Sequence, residues 1–325
     1  MGGLRHRFDT RGQIPASQLI RPISTAGGTA CEAVLVRTRQ LLAPLLLALG
    51  MCVTPTAPAH AATTVPTKVL LVVEENHTEG SAIAAMPWLA SMARTYGYAN
   101  NWRAITHPSL PNYLALAGGS TYGVRDDSPP SAHPISGSSV FGVAVARGKT
   151  AKTYAEGMSG NCSTTGTSRY AVKHNPWAYF TSSAEHSACL RGDVPSGTPA
   201  SGNLRHDIGA GTLPTIGMFI PDLCHDAHDC SLGAADNFLK GWLGIVLNGP
   251  DYRAGRLAVI VTFDEDDGSG ANVVLSVFIS PHTSHVASNT AFTHYSWTRY
   301  AAQLCGTTPL RAGATAPSFR STFHV

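Results

Sequence analysis

Three uninterrupted apolar runs, each followed at once by polar residues, constrain the fold of this chain most strongly. The runs span 68–73, 215–220 and 257–263. Their many β-branched residues are typical of strands that are buried on both faces of a sheet. Segments with a helical pattern alternate with them, at 81–96, 234–248 and 294–304. The sequence therefore predicts an α/β sandwich with a mainly parallel central sheet flanked by helices.

Polar residues follow the ends of these predicted strands. Glu75 and Asn76 come directly after the first strand, and Asp264 and Glu265 come directly after the last. Ligands bind outside the carboxyl ends of strands in open α/β sheets, so we expect these clusters to converge on one crevice. Hard divalent cations such as Mg²⁺, Ca²⁺ or Mn²⁺ favour carboxylate and amide oxygens, and Zn²⁺ also accepts carboxylates. The four residues are therefore candidate metal ligands, although either pair alone would more often be solvated loop acids.

A serine at the predicted start of a helix is the candidate nucleophile. Pro111 suits the first turn of a helix that runs to Gly118, which places Ser109 at or just before its N-terminus. Free N–H groups and the helix dipole favour a phosphate there, and Asn112 is positioned one turn on to donate a hydrogen bond to it. The alternative is that Ser109 is only the N-cap of the helix.

Histidines near the other clusters are candidates for proton transfer. The segment Cys224–Cys230 contains two histidines and two aspartates, which can ligate a metal or supply a general acid. A solvent-exposed turn is the alternative for this segment. His294 precedes the last helical pattern and offers one more imidazole, although a lone histidine is more often structural. Imidazole can protonate a leaving alcohol at mild pH, so His228 and His294 are the two candidates for that role.

The N-terminal region has the layout of a signal peptide. Two arginines precede the apolar run 41–49, which leads to Ala59-His60-Ala61, and the run is too short and too interrupted by Pro44 to span a bilayer. We expect cleavage after Ala61, secretion, and a mature protein without a transmembrane segment. A buried N-terminal helix is the alternative.

The segment before Val34 is too long, and too rich in Gly, Thr and Pro, for the N-terminal region of a signal peptide. We hypothesise a start codon assigned too far upstream, with the true start at Val34 or Val36, or else a disordered extension. The mature segment 62–325 is predicted to be a single domain with its core at about 65–310. Residues 124–210 show no clear periodicity, and we expect them to form loops at the rim of the crevice.

Cysteine use and charge exclude several classes of protein. Two of the seven cysteines leave with the leader, and none of the rest forms a CxxC pair, which argues against zinc ribbons and thioredoxin chemistry. The pairs expected in an oxidising compartment are Cys224–Cys230 and Cys162–Cys189, which leaves Cys305 free. The net charge is +3 without a basic run, so nothing indicates nucleic acid as a partner. The nucleophile elbow G-x-S-x-G of α/β-hydrolases is also absent.

Six blocks of this sequence resemble the bacterial phosphoesterase family of secreted acid phosphatases and phospholipases C, which has the alkaline-phosphatase-like fold. In order, the blocks are VVEENHTEG, THPSLPNYLAL, RYAVKHNPWAYF, IPDLCHDAHDCS, VTFDEDDGS and THYSWTR. The resemblance implies that Ser109 forms a phospho-enzyme and that the four residues named above bind a divalent metal ion. It further implies that Asn112 and His228 belong to the phosphate site. We add His107 and Asp229, from the same blocks, as candidate phosphate-binding residues.

Two departures from the family pattern separate its branches. The phospholipase C branch has Arg after the motif's Asn and an ENRSFD-type first block, whereas this chain has Tyr113 and EENHTEG. The Asp of that first block has no counterpart here except Glu79. The resemblance thus implies a secreted, metal-dependent phosphatase for phosphomonoesters, with phosphoinositide head groups such as phosphatidylinositol 3-phosphate as candidate substrates. A phospholipase C-type phosphodiesterase is one alternative. A non-catalytic secreted phosphate- or lipid-binding module, in which the acids hold a structural cation, is the other.

Overall fold

The computed structural model describes residues 65–325, and the strands within this range form one sheet. In chain order they are β1 Lys68–Glu74, β2 Gly97–Arg103, β3 Ala151–Ala155, β4 Asp193–Pro195, β5 Ile216–Ile220, β6 Leu257–Phe263, β7 Val273–Ile279, β8 Val286–Ser288 and β9 Phe292–Thr293. The predicted leader and the upstream extension lie outside the described residues.

The sheet is mixed and mostly parallel. Its strand order is β4-β3-β5-β1-β6-β7-β2-β8, and β9 also pairs with β2. Of these strands, β7 is antiparallel to both of its neighbours, whereas the remaining pairs are parallel. The three predicted strands are β1, β5 and β6, which lie side by side in the middle of the sheet. All residues of β5 and β6 are buried, as expected for strands covered on both faces.

The helices form two packed groups. In chain order they are α1 Glu79–Ala85, α2 Pro87–Thr95, α3 Ser109–Gly118, α4 Val140–Ala146, α5 Ser183–Gly192, α6 Asn203–Ala210, α7 Leu232–Asn248, α8 Pro250–Arg253, α9 His294–Cys305 and α10 Arg320–Phe323. One group packs α3, α4, α5 and α9 together, and the other packs α1, α2, α7 and α8. The helix predicted over 81–96 is in fact two helices, because Pro87 begins the second at its first turn.

Two predicted boundaries are corrected by the structure. Residues 124–210 were expected only to decorate the crevice rim, but they supply β3 and β4 to the sheet and three helices to its faces. These strands are too short to show a period in the sequence. The core also continues past residue 310, since Phe319, Phe323 and Val325 are fully buried. Within residues 65–325, no helix combines the length and apolarity needed to cross a bilayer.

Both predicted disulfides are present in the structure. Cys162 is bonded to Cys189 and Cys224 to Cys230, while Cys305 is buried and free. The first disulfide anchors the segment before β4, and the second closes a short loop after β5. This second loop lies at the carboxyl edge of the sheet, where the polar clusters meet.

Candidate active site

The carboxyl ends of β1 and β6 meet at one edge of the sheet, as the strand pattern predicts. The two strands pair in parallel to their last residues, so Glu75 and Asp264 follow side by side. The N–H of Asp264 donates to the Glu74 carbonyl at 2.9 Å. Asp264 Oδ1 in turn accepts from the N–H groups of Asn76 at 3.2 Å and of Glu265 at 2.7 Å. The structure thus brings Glu75, Asp264 and Glu265 to one edge of the sheet, where Asn76 contacts Asp264 through its backbone N–H.

Ser109 is the first residue of α3, and its side chain is directed into this cluster. The residue is buried, and its Oγ donates a hydrogen bond to Glu75 Oε2 at 3.1 Å. An acid already occupies part of the helix N-terminus, because the Leu110 N–H donates to Asp127 Oδ1 at 2.9 Å. The other oxygen of Asp127 accepts from Lys173 Nζ at 3.0 Å. Asp127 therefore links the Lys173 ammonium group to the first turn of α3.

Glu75 divides its two oxygens between the serine and a buried aromatic pair. Its Oε1 accepts from the Tyr113 hydroxyl at 2.6 Å, and Tyr113 lies one helical turn after the serine. The Tyr113 ring stacks on His174, with 5.0 Å between ring centroids. His174 Nε2 lies 3.2 Å from the same Glu75 oxygen without hydrogen-bond alignment, and Nδ1 lies 3.1 Å from Asp226 Oδ2. All four side chains are buried, so Glu75 has little freedom to rotate.

Burial makes these carboxyl groups reluctant to ionise. It raises the pKa of Asp264 and that of Asp226 to about 7. Burial, reinforced by the charge of Asp264, raises the pKa of Glu265 to about 9. Burial and the neighbouring charges of Asp264 and Asp226 raise the pKa of Glu75 well above its ordinary value. Such a group of acids is costly unless positive charge compensates it.

The donor set fits a divalent cation. Asp264 Oδ2 is buried and has no hydrogen-bond partner among residues 65–325, so it is free to ligate. Carboxylate and hydroxyl oxygens are the ligands that hard cations prefer, and a bound cation would lower the pKa of the acids around it. Burial alone would lower the pKa of Lys173, but the charges of Glu75 and Asp127 outweigh burial and raise it. One lysine cannot balance four carboxyl groups, so the cluster has room for further positive charge.

Asn112 and His107 lie against Glu265 on the other side of the cluster. Asn112 Oδ1 accepts from two backbone N–H groups of the preceding loop, and its Nδ2 donates to Glu265 Oε2 at 3.0 Å. His107 is half-exposed, with Nδ1 3.2 Å from Glu265 Oε2 and Nε2 3.2 Å from Asp266 Oδ1. The amide of Asn112 is thus committed to holding Glu265 and the loop, whereas the imidazole of His107 faces solvent.

The loop closed by the Cys224–Cys230 disulfide supplies His228 at the crevice mouth. The His228 N–H donates to Asp226 Oδ1 at 2.9 Å, and its side chain is 31% exposed. Its Nδ1 lies 2.8 Å from Asp229 Oδ1, and its ring centroid is 5.9 Å from that of His174. A carboxylate only accepts hydrogen bonds, so Asp229 contacts the histidine rather than offering a donor to phosphate.

His294 is not at the crevice surface, which corrects its expected role as an acid for the leaving alcohol. It is the first residue of α9 and is fully buried. Its Nδ1 accepts from Trp102 Nε1 at 3.1 Å, so the ring proton is on Nε2, which donates to the Asp264 carbonyl at 2.6 Å. Burial lowers the pKa of His294 to about 4. The neutral ring therefore supports the backbone of Asp264 from behind.

Several residues of the site were not singled out from the sequence. They are Asp127, Lys173 and His174, together with Tyr113, which the sequence analysis treated only as a departure from the family pattern. Lys173 and His174 lie on a short 3-10 helix, Val172–His174, in the region without periodicity. The sequence signal for these two residues was their place in the block RYAVKHNPWAYF. That block supported the family resemblance as a whole, without a role for any single residue.

The chain thus combines an α/β sheet with a buried serine and a carboxylate cluster at the carboxyl edge of that sheet. Solved structures support this fold. A protein of the alkaline phosphatase superfamily from Vibrio parahaemolyticus covers 80% of this chain, and 73% of its own, with a TM-score of 0.50 at 11% identity. The structure of a 2-O GAG sulfatase aligns with 80% of this chain over 74% of its own length, with a TM-score of 0.52 at 11% identity. The expected alkaline-phosphatase-like fold is thereby confirmed.

The chain belongs to the Phosphoesterase family, whose model matches residues 81–304. A phosphatidylinositol-3-phosphatase of Mycobacterium tuberculosis is 32% identical over 246 residues, which cover 73% of this chain and 76% of that protein. An acid phosphatase of Aspergillus fumigatus is 28% identical over 234 residues, which cover 68% of this chain and 50% of that protein. The chain is therefore a hydrolase of phosphoric ester bonds, and these two relatives are phosphatases.

Proposed function

We propose that the protein is a secreted, metal-dependent phosphomonoesterase that transfers a phosphoryl group first to Ser109 and then to water. The observation that carries the proposal is the position of Ser109. Its Oγ, at the start of α3, lies 3.1 Å from Glu75 Oε2 within a buried cluster of carboxyl groups. A serine hydroxyl is a poor nucleophile at its free pKa, and a neighbouring base or cation activates it.

Glu75, Asn76, Asp264 and Glu265 are the proposed ligands of a divalent cation, with Ser109 beside them. When bound, such a cation lowers the pKa of a coordinated hydroxyl and offsets negative charge on the reacting oxygens. The unpartnered Asp264 Oδ2 and the raised pKa values of the acids support this assignment.

In the first step, a bond forms between Ser109 Oγ and phosphorus while the bond from phosphorus to the leaving alcohol breaks. Glu75 Oε2 accepts the serine proton along the existing hydrogen bond. His228, oriented by Asp229, donates a proton to the leaving oxygen. In the second step, water attacks the phosphoserine and releases inorganic phosphate. The water proton goes to His228, and Glu75 returns its proton to Ser109.

Lys173 and His107 are the proposed partners of the bound phosphate. Lys173 lies beside Asp127 at the start of α3, and the half-exposed imidazole of His107 lies at the edge of the cluster. Asn112 takes a positioning role, because its amide is engaged with Glu265. In this arrangement the substrate enters from the His107 and His228 side, where the crevice is open to solvent.

The proposed substrates are phosphomonoesters, with phosphoinositide head groups such as phosphatidylinositol 3-phosphate among them. The phosphoinositide part rests on the name and similarity of the M. tuberculosis relative. Phosphate release from short-chain phosphatidylinositol 3-phosphate, compared with the 4- and 5-phosphates, tests it. Equal turnover of the three isomers would remove the phosphoinositide preference from the proposal while leaving the phosphatase activity in place.

The decisive assay is hydrolysis of nitrophenyl phosphate by purified 62–325, before and after EDTA, with Mg²⁺, Mn²⁺, Ca²⁺ or Zn²⁺ added back. We expect EDTA to abolish turnover and one or more metals to restore it. Full activity in EDTA would contradict the metal dependence. Nitrophenylphosphorylcholine serves as the comparison substrate, and its faster hydrolysis would indicate a phospholipase C-type phosphodiesterase instead.

Secretion is part of the proposal, with the mature chain starting at Ala62 and forming a single domain. The two disulfides support it, because such bonds persist in oxidising compartments. N-terminal sequencing of the protein recovered from culture medium should begin at Ala62. Recovery of the protein only from the cytosol, with the leader intact, would contradict secretion.

A further inference from the structure

A basic cavity lies at the edge of the sheet opposite the crevice, where β3 and β5 begin. Its volume is about 370 Å³. Its polar lining consists of three basic side chains, two threonines and one carboxylate: Lys149, Lys152, Arg191, Thr150, Thr212 and Asp207. The first two residues of β3 line it, and the three residues that follow extend about 10 Å toward the crevice edge of the sheet. The cavity is therefore distinct from the catalytic cluster.

The carboxylate in the wall is already neutralised. Asp207 forms an ion pair with Lys152 and also accepts a hydrogen bond from the Tyr154 hydroxyl at 2.7 Å. Lys149 and Arg191 are exposed, and neither forms an ion pair with a carboxylate anywhere in residues 65–325. The cavity thus carries a surplus of two positive charges.

The position of Lys149 is fixed by the backbone. It follows Gly148, whose φ of 70° turns the chain between α4 and β3, and its N–H donates to the Ala144 carbonyl at 2.9 Å. Arg191 lies in the last turn of α5, and Lys149 follows the last turn of α4, so each cation lies near the C-terminus of a helix. Thr150 Oγ1 accepts from the Thr215 N–H at 2.9 Å, so its hydroxyl proton remains able to donate.

An apolar groove continues from this cavity. A second cavity of about 310 Å³ lies between α4 and α5, and it shares Val145, Ala188 and Arg191 with the first. Alanine and valine side chains form much of its wall. The two cavities together present cations and hydroxyl donors at one end and apolar surface at the other.

We infer that the basic cavity binds the phosphate group of an organic phosphate, whose uncharged part lies in the groove between α4 and α5. Arginine, lysine and hydroxyl donors together match the oxygens of a phosphate, and arginine can contact two of them at once. A soluble phosphate ester and a phospholipid head group present the same group to this site. Because the cavity is remote from Ser109, binding there is separable from turnover.

The test is calorimetric titration of the purified protein with phenylphosphonate, which joins an oxyanion to an apolar ring and has no ester bond to hydrolyse. EDTA is present throughout. The double variant Lys149→Gln/Arg191→Gln should bind it about tenfold or more weakly, since two charge-assisted contacts are lost. The matched control is Arg94→Gln/Lys240→Gln, which removes the same charge at exposed positions outside both cavities. Both variants should keep wild-type turnover of nitrophenyl phosphate.

Equal affinity of the Lys149/Arg191 variant and the wild type would overturn the site, and so would equal weakening in the control. A parallel arm measures binding to phosphatidylglycerol vesicles and to phosphatidylcholine vesicles. Phenylphosphonate binding without vesicle binding supports a soluble phosphate ester, and binding of both phenylphosphonate and anionic vesicles supports a phospholipid head group. Binding to anionic vesicles alone would overturn the proposal, because attraction to a charged bilayer requires no cavity.

Discussion

Replacing Tyr113 by Phe tests whether the buried aromatic pair holds Glu75 for catalysis. The change removes one oxygen atom, and the phenyl ring can keep its stacking on His174. The lost contact is the 2.6 Å hydrogen bond to Glu75 Oε1, on the opposite side of the carboxylate from the Ser109 contact. Because the Tyr113 hydroxyl has no other hydrogen-bond partner in residues 65–325, the variant changes one interaction.

The expected magnitude follows from the nature of the acceptor. A hydrogen bond to a charged group contributes about 1.5–3 kcal/mol, and loss of a group that orients a metal ligand costs about 10- to 100-fold in metal affinity or activity. His174 Nε2 lies 3.2 Å from the same oxygen and can take over part of the contact. We therefore expect Tyr113→Phe to weaken metal binding and lower kcat by about tenfold, at the lower end of that range.

The assay combines metal titration by calorimetry, steady-state kinetics and thermal unfolding. Tyr179→Phe is the matched control, because the Tyr179 hydroxyl donates to the uncharged Ser128 carbonyl at 3.1 Å and makes no hydrogen bond to a carboxyl group of the site. The control should lose about 0.5–1.5 kcal/mol of stability and bind metal as the wild type does. Wild-type metal affinity and kcat in Tyr113→Phe would refute the reasoning, and so would an equal loss of metal affinity in the control.

The remaining predictions concern the nucleophile, the ligands and the closed loop. Ser109→Ala should lose about three or more orders of magnitude in turnover, and acid quench of the wild type with labelled substrate should leave phosphate on the Ser109 peptide; label on a histidine would contradict this. Glu75→Gln and Asp264→Asn should each abolish metal-dependent turnover while circular dichroism shows a retained fold, and near-normal activity would remove that residue from the site. Cys224→Ser should lower kcat with only a modest loss of stability, because the closed loop is short; a change in stability alone would show that the disulfide has no part in the site.

The strands and the convergence of their polar ends could be predicted because both depend on local pattern and general sheet geometry. Continuous β-branched runs identify β1, β5 and β6, and parallel pairing then places Glu75 beside Asp264. The short strands β3 and β4 have no such pattern, because each depends on its neighbours in the sheet. Their place could not be predicted without the tertiary structure.

Side-chain direction is the second feature that the sequence could not supply. Lys173 and His174 lie on one turn of 3-10 helix, which has no recognisable period, yet they contact Asp127 and Asp226 across more than forty residues of chain. Asn112 was correctly placed near the serine, but its amide is directed at Glu265. Which group a polar side chain contacts is decided by packing, since each has several partners within reach.

The side-chain direction of His294 was not predictable from the sequence either. Its role in supporting the Asp264 backbone can be tested. Its imidazole is neutral, and His294→Gln offers an uncharged side chain that does not titrate. Folding lowers the pKa of His294 from 6.5 to about 4, so the unfolded chain binds more protons between these pH values. Stability of the wild type should therefore fall as the pH drops from 6.5 to 4, by about 3 kcal/mol more than that of the variant.

Urea unfolding of both proteins at several pH values between 7 and 4 measures this difference directly. The comparison cancels the contributions of the crevice carboxyl groups, because these are present in both proteins. If His294 supports the Asp264 backbone, the variant should also keep the alkaline limb of the pH–rate profile, since the proposed acid, His228, is intact. Parallel curves of stability against pH for the two proteins would contradict the buried, neutral state of His294. Loss of the alkaline limb in His294→Gln at unchanged stability would return His294 to the catalytic role that its burial argues against.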